Sequence, residues 1–436
     1  MRKNYRAVLA LIPVICLCAA GFYYLPPVHD RLAWRVDEAM LRLQYQLHPP
    51  AKQVFIPQQQ PTSTAQLVLT ATSIPTSPTP ALSPTVAALQ TTPTSNPTPQ
   101  ASPTPLPPQM MLSGVIYEDQ HGRWNYCAPA NLAMALSFWG WQGNRDVVGP
   151  ILKPLEKDKN VMPYEMVDYV NEHTDFRAIM RLAGDVDLLK RFISAGFPVL
   201  VEKGAYLRDL TGVVSWMGHY QVVTGYDDTG EYFIVQDSFI KPDHEISYAD
   251  MISGWRAFNY TYLIIYPPEK EAQVFDLLGA DADETANAEK AALKASNEIF
   301  ALTGIDQYFA WFNRGSSLVK LQDYVNASLA YDEAFKVYPT IPESERPWRM
   351  MWYQTGPYFA YFYAQRYYDV LYLADGTLEA MQGDKNLEES YYWRGMARAA
   401  LGDTASAIED FRLSLQYHPG FPPALYQLQA LGVSAP

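Results

Sequence analysis

The sequence predicts an α+β domain with an antiparallel sheet, followed by an all-α array of helical hairpins and preceded by a single membrane-spanning helix. Three observations predict it: an uncharged apolar run near the N-terminus, a change from helix-like to strand-like patterning after residue 114, and a spacing of small and aromatic residues that repeats after residue 280. The 436 residues exceed one ordinary domain of about 100 to 200 residues. A 48% hydrophobic content with 14% aromatics suffices for packed cores. The formal charge of -13 argues against a nucleic-acid partner, which calls for basic patches.

Residues 1–28 read as a signal anchor. Arg2, Lys3 and Arg6 precede Ala7 to Leu25, which carry no charge, and positive residues stay cytoplasmic, so everything beyond should face outward from the cell membrane. A cleaved signal peptide is the alternative, with Cys18-Ala19-Ala20 as the small-residue site. The length of the run and the placing of Tyr23 and Tyr24 favour the anchor. Residues 29–48 form an amphipathic helix, with Leu32, Val36, Met40, Leu43 and Leu47 three or four apart. Residues 49–113 are rich in Pro, Thr, Ser, Ala and Gln, with Lys52 as the only charge. Such a stretch buries too little to offset its ordering entropy and reads as a disordered stalk, reaching up to about 200 Å in polyproline geometry.

From 114 to 270, helices are expected at 128–139, 163–172 and 186–194, then strands at 198–201, 219–226, 232–236 and 260–266. Helices first and strands afterwards suggest an α+β domain. From 280 to 436, Trp311, Gly315, Ala327, Tyr331, Ala334 and Pro339 fall at tetratricopeptide offsets. Tyr391, Gly395, Ala407, Phe411 and Pro419 repeat them. A degenerate copy between them places Tyr367, Val370 and Ala374 on its second helix. Such an array commonly offers a groove to a protein partner.

Cys127 is the only cysteine beyond residue 18. A lone buried cysteine is often an inert apolar residue, but this one opens an apolar helix, where unpaired N–H groups and the dipole favour an anion. Pro129 suits a first helical turn. Of the seven histidines, His219 alone opens a strand, HYQVVTGYDD, and the next strand ends at Asp237. Nucleophile, base and orienting carboxylate follow in a consistent order.

The run Gln120 to Ala130, then GHYQVVTGYDD, VQDSF and ISYADMISGW, resembles the papain-fold cysteine peptidases related to the bacteriocin-processing, double-glycine-cleaving family, over about residues 112–266. The resemblance implies a papain-like fold and a catalytic set of Cys127, His219 and Asp237. Gln120 and the Cys127 N–H would then form an oxyanion hole. Two positions depart from the family: Ala128 stands where glycine is usual, and Ser238 where proline often follows the aspartate. The implied activity is acyl transfer to water from a peptide or protein substrate. Two rivals stand beside it: a catalytically silent peptide-binding scaffold, and an acyl transferase using the same triad. No GxxxxGK[ST] loop, HExxH or paired CxxC is present, so neither an ATPase partner domain, nor a metal, nor another cofactor is expected.

Overall fold

The computed structural model describes residues 105–209, 212–381 and 385–434, with 55–58, 21–25 and scattered positions between 28 and 47. The anchor expected at 1–28, the juxtamembrane helix at 29–48 and the stalk expected at 49–113 lie largely outside the described residues. Among the described residues, no helix is long and apolar enough to cross a membrane.

Seven antiparallel strands form one sheet: β1 (Gln109–Met111), β2 (Arg177–Arg181), β3 (Val199–Arg208), β4 (Val214–Asp227), β5 (Tyr232–Asp237), β6 (Lys241–Ser247) and β7 (Tyr262–Tyr266). Their order is β2-β7-β3-β4-β5-β6, and β1 pairs with the end of β4. Both faces are covered. On one lies α1 (Cys127–Ser137), whose Leu132 and Leu136 pack on Leu200, Val222 and Leu263. Helices α2 (Arg145–Leu152) and α3 (Pro163–His173) flank it. On the other face lies α4 (Val186–Ser194), capped by Asp185 and turning Leu188, Leu189, Phe192 and Ile193 onto Val199, Val223 and Ile264. Trp255 of α5 (Tyr248–Arg256) completes that layer. Coverage of both faces explains why β7 reads YLIIY, with all five residues buried.

Three expectations change here. The sheet begins at residue 109 rather than 114, because Gln109 to Met111 pair with Asp227 to Gly225 and Met110 packs on the core. His219 sits inside a strand of fourteen residues, not at its mouth, because Val214 to Gly218 continue the ladder against Arg208 to Gly204. Strands β2 and β6 were not anticipated.

Beyond the sheet, α6 (Glu271–Leu278) and α7 (Glu284–Ala301) lead into three hairpins: α8 (Gly304–Lys320) with α9 (Tyr324–Val337), α11 (Gly356–Tyr363) with α12 (Tyr367–Ala380), and α13 (Glu388–Ala400) with α14 (Thr404–Tyr417). A single turn, α10 (Met350–Tyr353), precedes the second hairpin, and α15 (Pro422–Ala430) follows the third. The small residues act as expected. A Cβ on Gly315 would stand 2.6 Å from the Tyr331 ring, and one on Gly395 2.8 Å from the Phe411 ring. The hairpins are joined to the sheet by a shared core, in which Trp216, Ala257 and Phe258 cluster with Tyr308, Phe309 and Tyr331. Arg349, nearly fully buried, strengthens the joint through Asp209 at 3.2 Å, the Trp216 carbonyl at 3.2 Å and Ser215.

Candidate active site

Cys127 is the first residue of α1, half-buried and free of disulfide. The preceding Tyr126 offers no side-chain cap, so the first-turn N–H groups are left for something else. The approach to the helix is held from below. Asn125 takes a left-handed backbone (φ 47°) and its side chain donates to the Asp158 carbonyl at 2.8 Å. The buried Lys153 ammonium donates to the carbonyls of Trp124 and Asn125. Burial lowers that ammonium's pKa to about 8, against the pull of Asp158.

His219 projects from β4 and Asp237 closes β5, the neighbouring strand. His219 Nε2 lies 2.8 Å from Asp237 Oδ1, with the residues 2% and 0% exposed. That bond leaves Nδ1 as the ring nitrogen not engaged by Asp237, and the Cys127 sulfur is near enough to help hold the ring's charge. Burial alone would lower the imidazole pKa, but the Asp237 carboxylate, its hydrogen bond and the sulfur together raise it to about 9. Burial likewise works against the Asp237 charge. His219, the N–H groups of Phe239 and Ile240, and Gln221 overcome it and hold the carboxyl well below the usual range.

Gln120 is tied to this group through Ser238. Its backbone N–H donates to the Ser238 carbonyl at 2.9 Å. The Ser238 hydroxyl receives a bond from Asn131 Nδ2 at 2.8 Å and donates to Gln120 Oε1 at 2.8 Å. With Oε1 engaged, the amide nitrogen is the free end of Gln120. Asn131 also donates to the Cys127 carbonyl at 2.9 Å, so one amide links the helix tip to the loop after Asp237. The structure thus brings Cys127, His219, Asp237 and Gln120 into one cluster. Sequence reasoning missed Ser238, Asn131, Gln221 and Lys153. Only Ser238 left a signal, as the residue that departs from the family's proline.

The repeat unit also reaches the cluster. Tyr353, at the end of α10, packs edge-on to Trp216 and Phe258 and lies against the Gly218 backbone, one residue before His219. A Cβ on Gly218 would meet the Tyr353 ring at 3.0 Å and Phe258 at 2.8 Å, so that glycine answers a demand for space. Glu202, paired across the ladder with Tyr220, is held well above the usual carboxylate range by burial.

Two other histidines have carboxylate partners elsewhere: His121 pairs with exposed Asp119 at 2.6 Å, and His418 lies 3.0 Å from Glu388. Asp158, Glu388 and His418 bring their ligating atoms within 4.8 Å of one another. They sit where the sheet unit meets the repeats, with the buried side chain of Asn386 donating to the Lys157 carbonyl beside them.

Residues 112–265 match the profile of the Peptidase_C39 like family, and residues 388–420 match a tetratricopeptide repeat. Two solved structures are similar. One is a C39-like peptidase from Bacillus anthracis, 15% identical, covering 36% of this chain and 96% of that one with a TM-score of 0.30. The other is xylellain, a cysteine protease from Xylella fastidiosa, 15% identical, covering 37% and 87% with a TM-score of 0.28. No curated protein matches the chain. The two profile matches place similarity to a C39-like peptidase before similarity to a tetratricopeptide repeat along the chain.

Proposed function

We propose that the C39-like domain is a cysteine peptidase that cleaves peptide bonds through an acyl-enzyme. The observation that carries this reading is the buried 2.8 Å contact between His219 Nε2 and Asp237, which leaves the other ring nitrogen to the sulfur at a helix tip. The Cys127 sulfur attacks the scissile carbonyl carbon while its proton resides on His219. The developing oxyanion turns toward the Cys127 N–H and the free amide end of Gln120, each such donor contributing about 3 kcal/mol in comparable sites. The imidazolium gives its proton to the leaving amine as the C–N bond breaks. Water, deprotonated by His219, then attacks the thioester and restores the thiol. Asp237 holds the ring in place and stabilises its charged form.

In the same reading the folded units face outward from a membrane anchor at residues 1–28, and the repeats engage protein. A diverse peptide library incubated with wild type and Cys127→Ala tests the activity. Products from wild type alone are expected, and added amines that become acylated would mark a transferase instead. No products, together with iodoacetamide labelling of Cys127 as slow as an ordinary thiol, overturns the peptidase in favour of a silent binder.

A further inference from the structure

Residues Phe55 to Gln58 lie extended against the repeats, far in sequence from everything they touch. The Phe55 ring stands edge-on to Phe335 with centroids 4.8 Å apart, and 6.0 Å from Tyr361. Phe55 and Pro57 are half-buried while Ile56 and Gln58 are exposed, the alternation of an extended strand. The Gln58 N–H donates to Asp369 Oδ1 at 2.8 Å. That acceptor is built in. Asp369 is fully buried, and its other oxygen is held by Arg366 at 2.8 Å. Arg366 in turn forks onto Asp332 at 2.8 and 2.9 Å and lies over the Tyr361 ring at 4.4 Å. A fixed carboxylate that takes a backbone N–H reads main chain, and an aromatic pocket beside it reads one side chain; together they make a peptide site. A cavity of about 370 Å³ continues past the segment, lined by Trp348, Met350, Met351 and Tyr372 among others.

We propose that this groove binds an extended peptide of aromatic-aliphatic-proline pattern, and that its resident ligand is the chain's own Phe55–Gln58, bound in cis. Forty-six residues, 59 to 104, join the segment to the folded unit. A tether of that length gives an effective concentration on the order of 1 mM, so even a site with a dissociation constant of about 100 μM is filled in roughly nine molecules of ten. An outside protein reaches the groove only by displacing the segment. The chain is thereby fastened to the repeats at a point on the N-terminal side of the sheet unit.

The test uses the full chain in detergent, wild type and Phe55→Asp, titrated with a fluorescein-labelled peptide of residues 52–60. Phe55→Asp should bind it saturably and the wild type at least about fivefold more weakly, while the same peptide with Asp for Phe should bind neither. Equal binding by the two chains, or none by Phe55→Asp, overturns the proposal. A photo-crosslinking phenylalanine analogue at position 55 should attach to the repeats of its own chain. A wild-type dimer in sedimentation that Phe55→Asp converts to monomer would mean the segment docks on a second copy, and would overturn binding in cis.

Discussion

Replacing Asp237 by asparagine removes a charge while sparing the shape. Oδ1 accepts from His219 at 2.8 Å, from the Phe239 N–H at 2.8 Å and from the Ile240 N–H at 3.1 Å, and all three contacts survive with an amide oxygen in that place. The new NH2 would meet Gln221 Nε2, which now donates to Oδ2 at 2.6 Å. Gln221 Oε1, however, is buried without a hydrogen-bond partner. Flipping that amide turns a clash of donors into a bond. What remains is electrostatic. The Asp237 carboxylate leads the interactions that raise His219 from an ordinary 6.5 to about 9 against the cost of burial. Without it the imidazole should titrate at 6.5 or below. The interval corresponds to roughly 3 kcal/mol. Because the folded value lies above the unfolded one, this stabilisation is complete below about pH 6.5 and is lost as pH rises through 9. The Asp237 half of the pair behaves oppositely, being present above about pH 4 and lost only in strong acid. Glu165, raised to about 8 by burial and Glu389, sheds stability from about pH 4.5 to 8 in both proteins and so cancels in the difference between them. The assay is an NMR titration of the His219 ring, with urea midpoints at pH 6.5 and 9.5. Wild type should lose about 3 kcal/mol more than Asp237→Asn across that range. A ring in Asp237→Asn that still titrates near 9 would refute the reasoning.

Ser238→Ala removes the hydroxyl that fixes the Gln120 amide and should lower kcat about fivefold, near 1 kcal/mol, while iodoacetamide labelling of Cys127 stays at the wild-type rate; kinetics and labelling on one preparation check both. Tyr353→Ala clears the wall beside Gly218, and should speed alkylation of Cys127 by a bulky maleimide severalfold relative to iodoacetamide. Gly395→Ala drives a methyl to 2.8 Å from the Phe411 ring and should cost about 2 kcal/mol, seen as a lower melting temperature, with Trp216 and the sheet untouched.

Much of the fold was legible where one face or both are apolar. Helix α4 declared itself through Leu188, Leu189, Phe192 and Ile193, and β7 through an unbroken apolar run. Strand β6, KPDHEIS, did not, because an edge strand survives on one ladder and tolerates lysine, proline and charge. The order of Cys127, His219 and Asp237 was readable because Cys127 opens a patterned helix, Asp237 closes a patterned strand, and His219 heads the apolar half of the strand between them. Their supports were not. Asn131 and Ser238 are 107 residues apart, and Tyr353 reaches Gly218 from another unit; no local periodicity encodes such contacts.

The placing of His219 deep inside β4, with β3 on one side and β5 close by on the other, decides how the site fails on warming. Its amide belongs to the part of the molecule that exchanges with solvent last. Cys127 depends instead on a loop end held by side-chain bonds, from Lys153 to the carbonyls of Trp124 and Asn125 and from Asn125 to that of Asp158. Heat should therefore dismantle the cluster from the sulfur side, losing turnover while the imidazole still holds its station in the sheet.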